Sequence, residues 1–301
     1  MANNRTISAT FAALGAQIIF GFSFMFTKIA LDYASPLTVI ADRYIAAFIG
    51  LSIVMLVTKT KIRFGKNLWT LLLMAFFQPV LYFLFETYGI KMTTSSFSAI
   101  MIALIPVVAM ISGIFILKEV PALMQYVFTV LSIGGVVIMA LVGNADGTVT
   151  PLGVLLLFGA VVSSVGYNVL SRKLSSEFTV MERTYAMTII GFVAFLIIAI
   201  TENIHNPISV ISSFASLKFT ISILYLGIVS SVVAFLMLNY ANTYLPVAKV
   251  TVFANVTTIV SVVAGALFLN EKFSFAAAIS TLMIIIGVWG VQVLGVKKSD
   301  Y

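Results

Sequence analysis

Charge is what this sequence has least of. Only 9% of its 301 residues are Asp, Glu, Lys or Arg, where a soluble chain has about a quarter, so there is too little polar side chain to cover a water-facing globule. Cysteine is absent, which excludes disulfides, thiolate metal sites and a cysteine nucleophile. Histidine occurs once, as His205 close to Pro207 in a polar stretch, which reads as a solvated loop side chain. There is no glycine-rich phosphate loop, so direct ATP drive is not expected. There are no metal-spaced histidines, no paired intramembrane carboxylates and no nucleophile beside a base, so neither enzyme chemistry nor a cofactor is expected.

What is present is apolar. Hydrophobic residues make up 61% of the chain and the mean hydropathy is +1.15. The apolar runs last about twenty residues, enough to cross a hydrocarbon core roughly 30 Å thick. Polar or turn-rich interruptions at Ser35-Pro36, 59–66, 118–121, 144–151 and 202–216 cut the chain. They predict ten transmembrane helices near 8–30, 36–58, 67–90, 94–117, 121–143, 151–172, 180–201, 217–241, 245–269 and 273–296. Met1 to Thr10 carries no cleavage site and leads into a full-length span, so no removable signal peptide is expected.

The net charge of +7 is spread thinly and forms no basic stripe, which argues against a nucleic-acid partner. It orients the chain instead. With the N-terminus cytoplasmic, that side collects Arg5, Lys59, Lys61, Arg63, Lys66, Lys118, Arg172, Lys173, Arg183, Lys249, Lys297 and Lys298. The other side has Lys28, Arg43, Lys91, Lys218 and Lys272. A split of twelve to five follows the positive-inside rule, so both termini are expected on the cytoplasmic face of the cytoplasmic membrane.

Shifting the sequence against itself by 152 residues pairs Tyr88 with Tyr240, Gly113 with Gly265, Leu117 with Leu269 and Glu119 with Glu271. The same shift pairs Thr129 with Thr281, Gly135 with Gly287, Val136 with Val288 and Gly143 with Gly295. A shift of 145 pairs Gly21 with Gly166 and Lys28 with Lys173, and one of 140 brings Asp42-Arg43 over Glu182-Arg183. The chain therefore reads as a duplication, residues 1–145 and 146–301. Five spans per half is an odd number, so the second copy enters from the opposite face and the repeats are inverted. The expected fold class is an all-α integral membrane protein of two inverted five-helix repeats.

The chain resembles the EamA-type members of the drug/metabolite transporter superfamily. The resemblance rests on Phe20-Gly21 leading to Lys28, the Leu104-Ile-Pro106-Val run, and the Leu117-Lys-Glu119 and Leu269-Asn-Glu271 signatures, in that order. Phe20 stands where the family usually has Trp, and the position of Pro106 is Thr258 in the second half. The resemblance implies an alternating-access secondary transporter that exports small organic solutes such as amino acids or amphipathic compounds, with or without coupled protons. Its partners would be that solute and membrane lipid. A nucleotide-sugar exchanger is the alternative within the superfamily, and a receptor or channel the alternative outside it.

Glu86 is the foremost candidate residue, because a carboxylate inside a span is costly and is kept only with a partner, water or a purpose. Gln78, Tyr82 and Glu86 recur every fourth residue beside Pro79 and predict a cavity-facing stripe. Glu86 is either a proton-coupling or cation-recognising group, or a hydrated structural carboxylate paired with Arg43 or Lys91. Gln17, Asn168, Asn239 and Asn255 are amides inside spans, which either join helices or face a solute path. Phe20, Phe24 and Tyr167 are aromatic neighbours of these polar groups. Glu119 and Glu271 are expected to cap the helices that follow them, and the glycines at 113, 135, 265 and 287 to permit close helix packing. The dipeptides Asp42-Arg43 and Glu182-Arg183 read as local pairs at helix starts, with a gate as the alternative.

Overall fold

The protein was analysed as a computed structural model, which describes residues 2–60, 67–117, 122–145, 148–202, 213–245, 250, 253–271 and 274–293. Among these every regular element is helical. They are α1 (Ala2–Leu31), α2 (Pro36–Thr58), α3 (Leu68–Lys91), α4 in two pieces (Ser95–Ile102 and Ile105–Leu117), α5 (Leu123–Ala145), α6 (Pro151–Leu174), α7 (Val180–Glu202), α8 (Leu217–Tyr244), α9 (Ala254–Phe268) and α10 (Phe275–Val293). Eight of them, α1 to α8, are apolar and long enough to cross a membrane, and α9 and α10 are shorter apolar helices. The expected 245–269 span is described as a helix from Ala254 only, Leu245 being extended at the end of α8. His205, Glu119, Lys61, Arg63, Lys66, Lys118, Lys249, Lys272, Lys297 and Lys298 lie outside the described residues.

Helix starts follow the punctuation. Ser35, Thr94, Thr150 and Ser216 each accept the backbone N–H three residues on, satisfying donors that the first turn leaves unpaired, and Pro36 and Pro151 occupy first-turn positions where no N–H is needed. Thr179 and Glu182 form a reciprocal capping box at α7 (Thr179 N to Glu182 Oε2 2.8 Å, Glu182 N to Thr179 Oγ1 3.3 Å).

Three spans are interrupted. Pro106 has no N–H and its ring crowds the carbonyl four residues earlier, and α4 breaks after Ile102. In α3 the residue before Pro79 is driven out of helical space: Gln78 sits at φ −143°, ψ 111°, within a π-helical segment over Phe76–Leu81. α8 carries a π-helical segment over Tyr225–Ala234 without any proline. Shifted by 152, Phe76–Leu81 falls on 228–233, inside the α8 segment.

Packing intertwines the two halves of the chain. α1 packs on α8 and α9, while α6 packs on α3 and α4, and α2 lies against α7. α5 and α10 form the most extensive pair. They run antiparallel, because Gln125 Nε2 donates to Val291 O (3.0 Å), Phe128 and Ser132 lie against Gly287, and Gly135 lies against Ser280 and Ile284. A Cβ on Gly135 would stand 2.8 Å from Ser280 O, and one on Gly287 would stand 2.6 Å from Phe128 O, so the crossing requires glycine at both. Those contacts are reciprocal: shifting Phe128 and Ser132 by 152 gives Ser280 and Ile284.

Large apolar side chains such as Phe11, Leu56, Trp69, Val130, Leu155 and Ile197 point outward, while many Ser, Thr and Asn side chains are buried within the apolar interior. This is the distribution of a chain solvated by lipid, where hydroxyls and amides join helices from within.

Candidate functional site

The interrupted helices α3, α4 and α8, together with α1, α2, α6 and α9, surround a cavity with about 590 Å³ of empty space, its open mouth included. α1 contributes Gln17, Phe20, Ser23 and Phe24, α2 contributes Arg43, and α3 contributes Gln78, Tyr82, Phe83 and Glu86. The break in α4 supplies Ile102 and Ile105, α6 supplies Ser164 and Asn168, and α8 supplies Phe235 and Leu238. Val250, Ala254 and Thr257 close it. The wall is mainly aromatic and aliphatic with a few polar groups set into it, the usual make-up of a small-molecule site.

Of the residues singled out in the sequence, Gln17, Phe20, Phe24, Gln78, Tyr82, Glu86 and Asn168 line this cavity together. The stripe at 78, 82 and 86 stays on one face despite the π-helical segment, and Glu86 is buried. Tyr82 donates its hydroxyl hydrogen to Glu86 Oε1 at 2.9 Å, and Glu86 Oε2 has no partner. Gln78 Oε1 is also buried without a partner. Gln17 Oε1 accepts from Thr257 Oγ1 (2.7 Å), and Asn168 is engaged by Ser164 O (2.8 Å) and Asn242 Nδ2 (3.1 Å).

Tyr167, Asn239 and Asn255 do not border the cavity. Tyr167 donates to Asn239 Oδ1 (3.0 Å) behind it, edge-on to Phe235. Asn239 also accepts from Ser171 Oγ (2.7 Å) and donates to Thr184 Oγ1 (3.0 Å), which makes it a helix-joining amide. Asn255 follows Ala254 on α9, outside the lining, and its Oδ1 is buried without a partner.

Arg43 belongs to the site and does not pair with Asp42. It is buried, with Nε on Ser231 Oγ (2.7 Å), Nη2 on Ser230 Oγ (2.9 Å) and the guanidinium carbon 3.9 Å from the centre of the Phe83 ring. Ser23 Oγ joins the same group, 2.8 Å from Ser230 Oγ. Gly227 permits this approach: a Cβ there would lie 2.8 Å from Arg43 O. Arg43 and Glu86 both line the cavity, with no hydrogen bond or ion pair between them. The sequence signal for this was the rarity of charge within spans, which marks Arg43 as well as Glu86.

The other arginine has a different task. Arg183 donates from Nη1 to Ser171 O (2.7 Å) and from Nη2 to Asn239 O (3.0 Å), while Arg172 Nη1 donates to Asn242 O (3.0 Å) and to Thr243 O. Arg183 thus ties α7 to α6 and α8, and Arg172 satisfies carbonyls left open at the C-terminal end of α8. Lys28 does the same for α3, donating from Nζ to Ile90 O (2.9 Å) and Thr93 O. Ile90 and Asn242 are themselves 152 residues apart. Glu271 caps α4 and not the helix that follows it, accepting from Ser95 N (2.7 Å) and Ser96 N (3.0 Å). Gly265 leaves the room, since a Cβ there would stand 2.6 Å from Glu271 Oε2.

The EamA-like transporter family model matches residues 7–141 and again 151–293. The chain belongs to the EamA-like transporter family. It is 34% identical over 305 residues to the uncharacterized transporter YcxC of Bacillus subtilis (strain 168), an alignment covering 99% of this chain and 97% of that protein. The uncharacterized transporter YetK of the same organism is 25% identical over 304 residues, covering 98% of this chain and 88% of YetK. A solved crystal structure of another protein shares the fold, with a TM-score of 0.67 at 16% identity over 96% of this chain and 99% of that one. As an EamA-like chain with eight membrane-length apolar helices, it is a multi-pass membrane protein of a transporter family. Phe20-Gly21, at the start of the family resemblance, also has a local structural reason. Gly21 lets α1 approach α9, where a Cβ would meet Val260 Cβ at 2.6 Å, and this brings Phe20 to the cavity.

Proposed function

We propose that this protein is an alternating-access secondary carrier that moves small organic metabolites, amino-acid-like or amphipathic, across the cytoplasmic membrane. In this reading α1 to α10 are ten spans in two inverted halves, residues 1–145 and 146–301, with both termini cytoplasmic. The observation that carries it is the central cavity itself: buried, bearing one cation and one anion, and built from helices of both halves.

The two-fold relation between the halves has support at four places. The α5–α10 crossing is antiparallel and reciprocal at Gly135 and Gly287. The π-helical segments of α3 and α8 coincide after a shift of 152. Lys28 and Arg172 cap matching helix ends at Ile90 and Asn242. The packing of α1 on α8 and α9 mirrors that of α6 on α3 and α4. Antiparallel copies related in this way give two states of similar energy, open to opposite faces, with the solute held between them. π-helical segments leave backbone groups loosely paired, so α3 and α8 are the natural places for such a bundle to bend.

The test is uptake by purified protein in liposomes, screened against amino acids and amphipathic metabolites with and without an imposed pH gradient. Saturable uptake of at least one solute is expected. Correctly folded protein that moves none of a broad panel contradicts the carrier reading.

A further inference from the structure

α4 and α9 come from different halves of the chain, and polar side chains fasten them together at one end. Glu271, just past α9, accepts from Ser95 N (2.7 Å), Ser96 N (3.0 Å) and Ser96 Oγ at the start of α4. Ser261 Oγ stands 3.3 Å from both Ser95 O and Ser95 Oγ, and Thr258 Oγ1 donates to Ala99 O at 3.2 Å. All four hydroxyl side chains are buried, so water does not compete for these bonds. α9 packs along the first piece of α4 and has no comparable contact with the second among the described residues. Ala254 and Thr257, the residues of α9 on the cavity wall, are in its first turn, at the far end from Glu271. Inverted copies with identical side chains would be fastened alike at both ends, but this pair is not. Shifted by 152, Ser95, Ser96, Thr258 and Ser261 fall on Val247, Ala248, Pro106 and Ala109, and none of these has a hydroxyl. Among the bonding side chains only Glu271 recurs, as Glu119, which lies outside the described residues.

Deepening the carrier reading, on which it rests, we propose that the cluster of Ser95, Ser96, Thr258, Ser261 and Glu271 is a gate that stays shut in the empty protein, so that the resting cavity is presented to the face where α9 begins. With the N-terminus cytoplasmic, that face is the cytoplasm and the solute is loaded from there. Opening toward the other face parts α4 from α9 and breaks these bonds together. The hydroxyl bonds have no counterpart that could hold the cytoplasmic end shut, so two otherwise equivalent states are unequally populated.

The natural chain has no cysteine, so an introduced thiol reports its own surroundings. Ala254→Cys places one on the cavity wall, to be labelled with a membrane-impermeant methanethiosulfonate in right-side-out and in inverted vesicles. Labelling is expected to be faster from the cytoplasmic face. Adding Thr258→Val and Ser261→Ala removes the hydroxyls but leaves the Glu271 cap, and labelling from the external face should then rise about fivefold or more. A purely structural role for the hydroxyls would lower stability without changing the side of labelling. Equal or faster external labelling of the single variant overturns the proposal, as does unaltered sidedness when the hydroxyls are removed. The single variant keeps the cluster intact, so misfolding of the others does not blunt that comparison. Ser95→Cys with Ser261→Cys tests the opening, because the two hydroxyl oxygens are 3.3 Å apart. Copper phenanthroline takes two electrons as the thiols lose their protons, and the disulfide should form readily in the empty protein. Liposome uptake of the amino-acid and metabolite panel should then stop, and return on reduction. Continued uptake by the cross-linked protein removes the gate and leaves the carrier, whereas no uptake by wild type removes the carrier and the gate with it.

Discussion

Arg43 Nε stands 2.7 Å from Ser231 Oγ, and with Nη2 on Ser230 the guanidinium of α2 is fastened to the π-helical segment of α8. The same guanidinium faces the cavity. A group that lines the cavity therefore also holds the segment where α8 departs from α-helical geometry.

Replacing both hydroxyls, Ser230→Ala with Ser231→Ala, leaves a buried cation short of two acceptors. Each lost bond to a charged group costs about 1.5–3 kcal/mol, so the double variant should show a clearly lowered unfolding temperature in detergent. A change no larger than that of an exposed Ser→Ala control would mean that the two hydroxyls do not hold Arg43.

Tyr82→Phe removes the single hydroxyl that occupies Glu86 Oε1. In the carrier reading, in which Glu86 faces the solute, the orientation of its carboxylate is then lost. Solute affinity should fall by about 1–3 kcal/mol, roughly 5- to 150-fold, and the unfolding temperature should fall as well, because a buried carboxylate oxygen loses its donor. Titration of the wild type and variant with the same transported solute decides it, and unaltered affinity removes Tyr82 from the site.

At the α5–α10 crossing, Gly135→Ala and Gly287→Ala should each destabilise the protein by about 1–3 kcal/mol, because the new methyl meets a backbone carbonyl that cannot step aside. Gly134→Ala is the internal control, since its Cβ would meet only Met283 Cε at 3.7 Å. Comparable stability of all three variants would contradict the close crossing.

Glu271→Ala exposes the first amides of α4. Charged caps at a helix N-terminus contribute about 1 kcal/mol or more, so hydrogen exchange at Ser95 and Ser96 should accelerate while exchange at Phe97, held by Thr94, and in α5 stays as it was. Unchanged protection at Ser95 and Ser96 rules out the cap.

Much of the fold was legible because lipid imposes a simple rule: apolar runs of membrane length, cut by capping residues and prolines. The break at Pro106 and the distortion at Pro79 follow from chemistry visible in the sequence. The π-helical segment of α8 has no proline to announce it, and only its coincidence with that of α3 after a 152-residue shift makes it intelligible. The cavity was legible as far as helical periodicity reaches, which is why Gln78, Tyr82 and Glu86 stand together. Periodicity does not say which amides are already saturated. Asn239 and Asn168 look alike in sequence, but Asn239 is used up between Tyr167, Ser171 and Thr184. Arg43 looked like a partner of its neighbour Asp42, and its true partners lie 187 and 188 residues away on α8. Glu271 likewise caps a helix in the other half of the chain.

Counterflow across liposomes loaded with unlabelled solute most directly tests the central claim, that one cavity is presented to the two faces in turn. An alternating carrier must return its site before it can move a second solute, so internal unlabelled solute should accelerate uptake of the labelled solute, and uptake should saturate. Flux that is indifferent to internal solute, or conductance far above carrier turnover, would contradict the account.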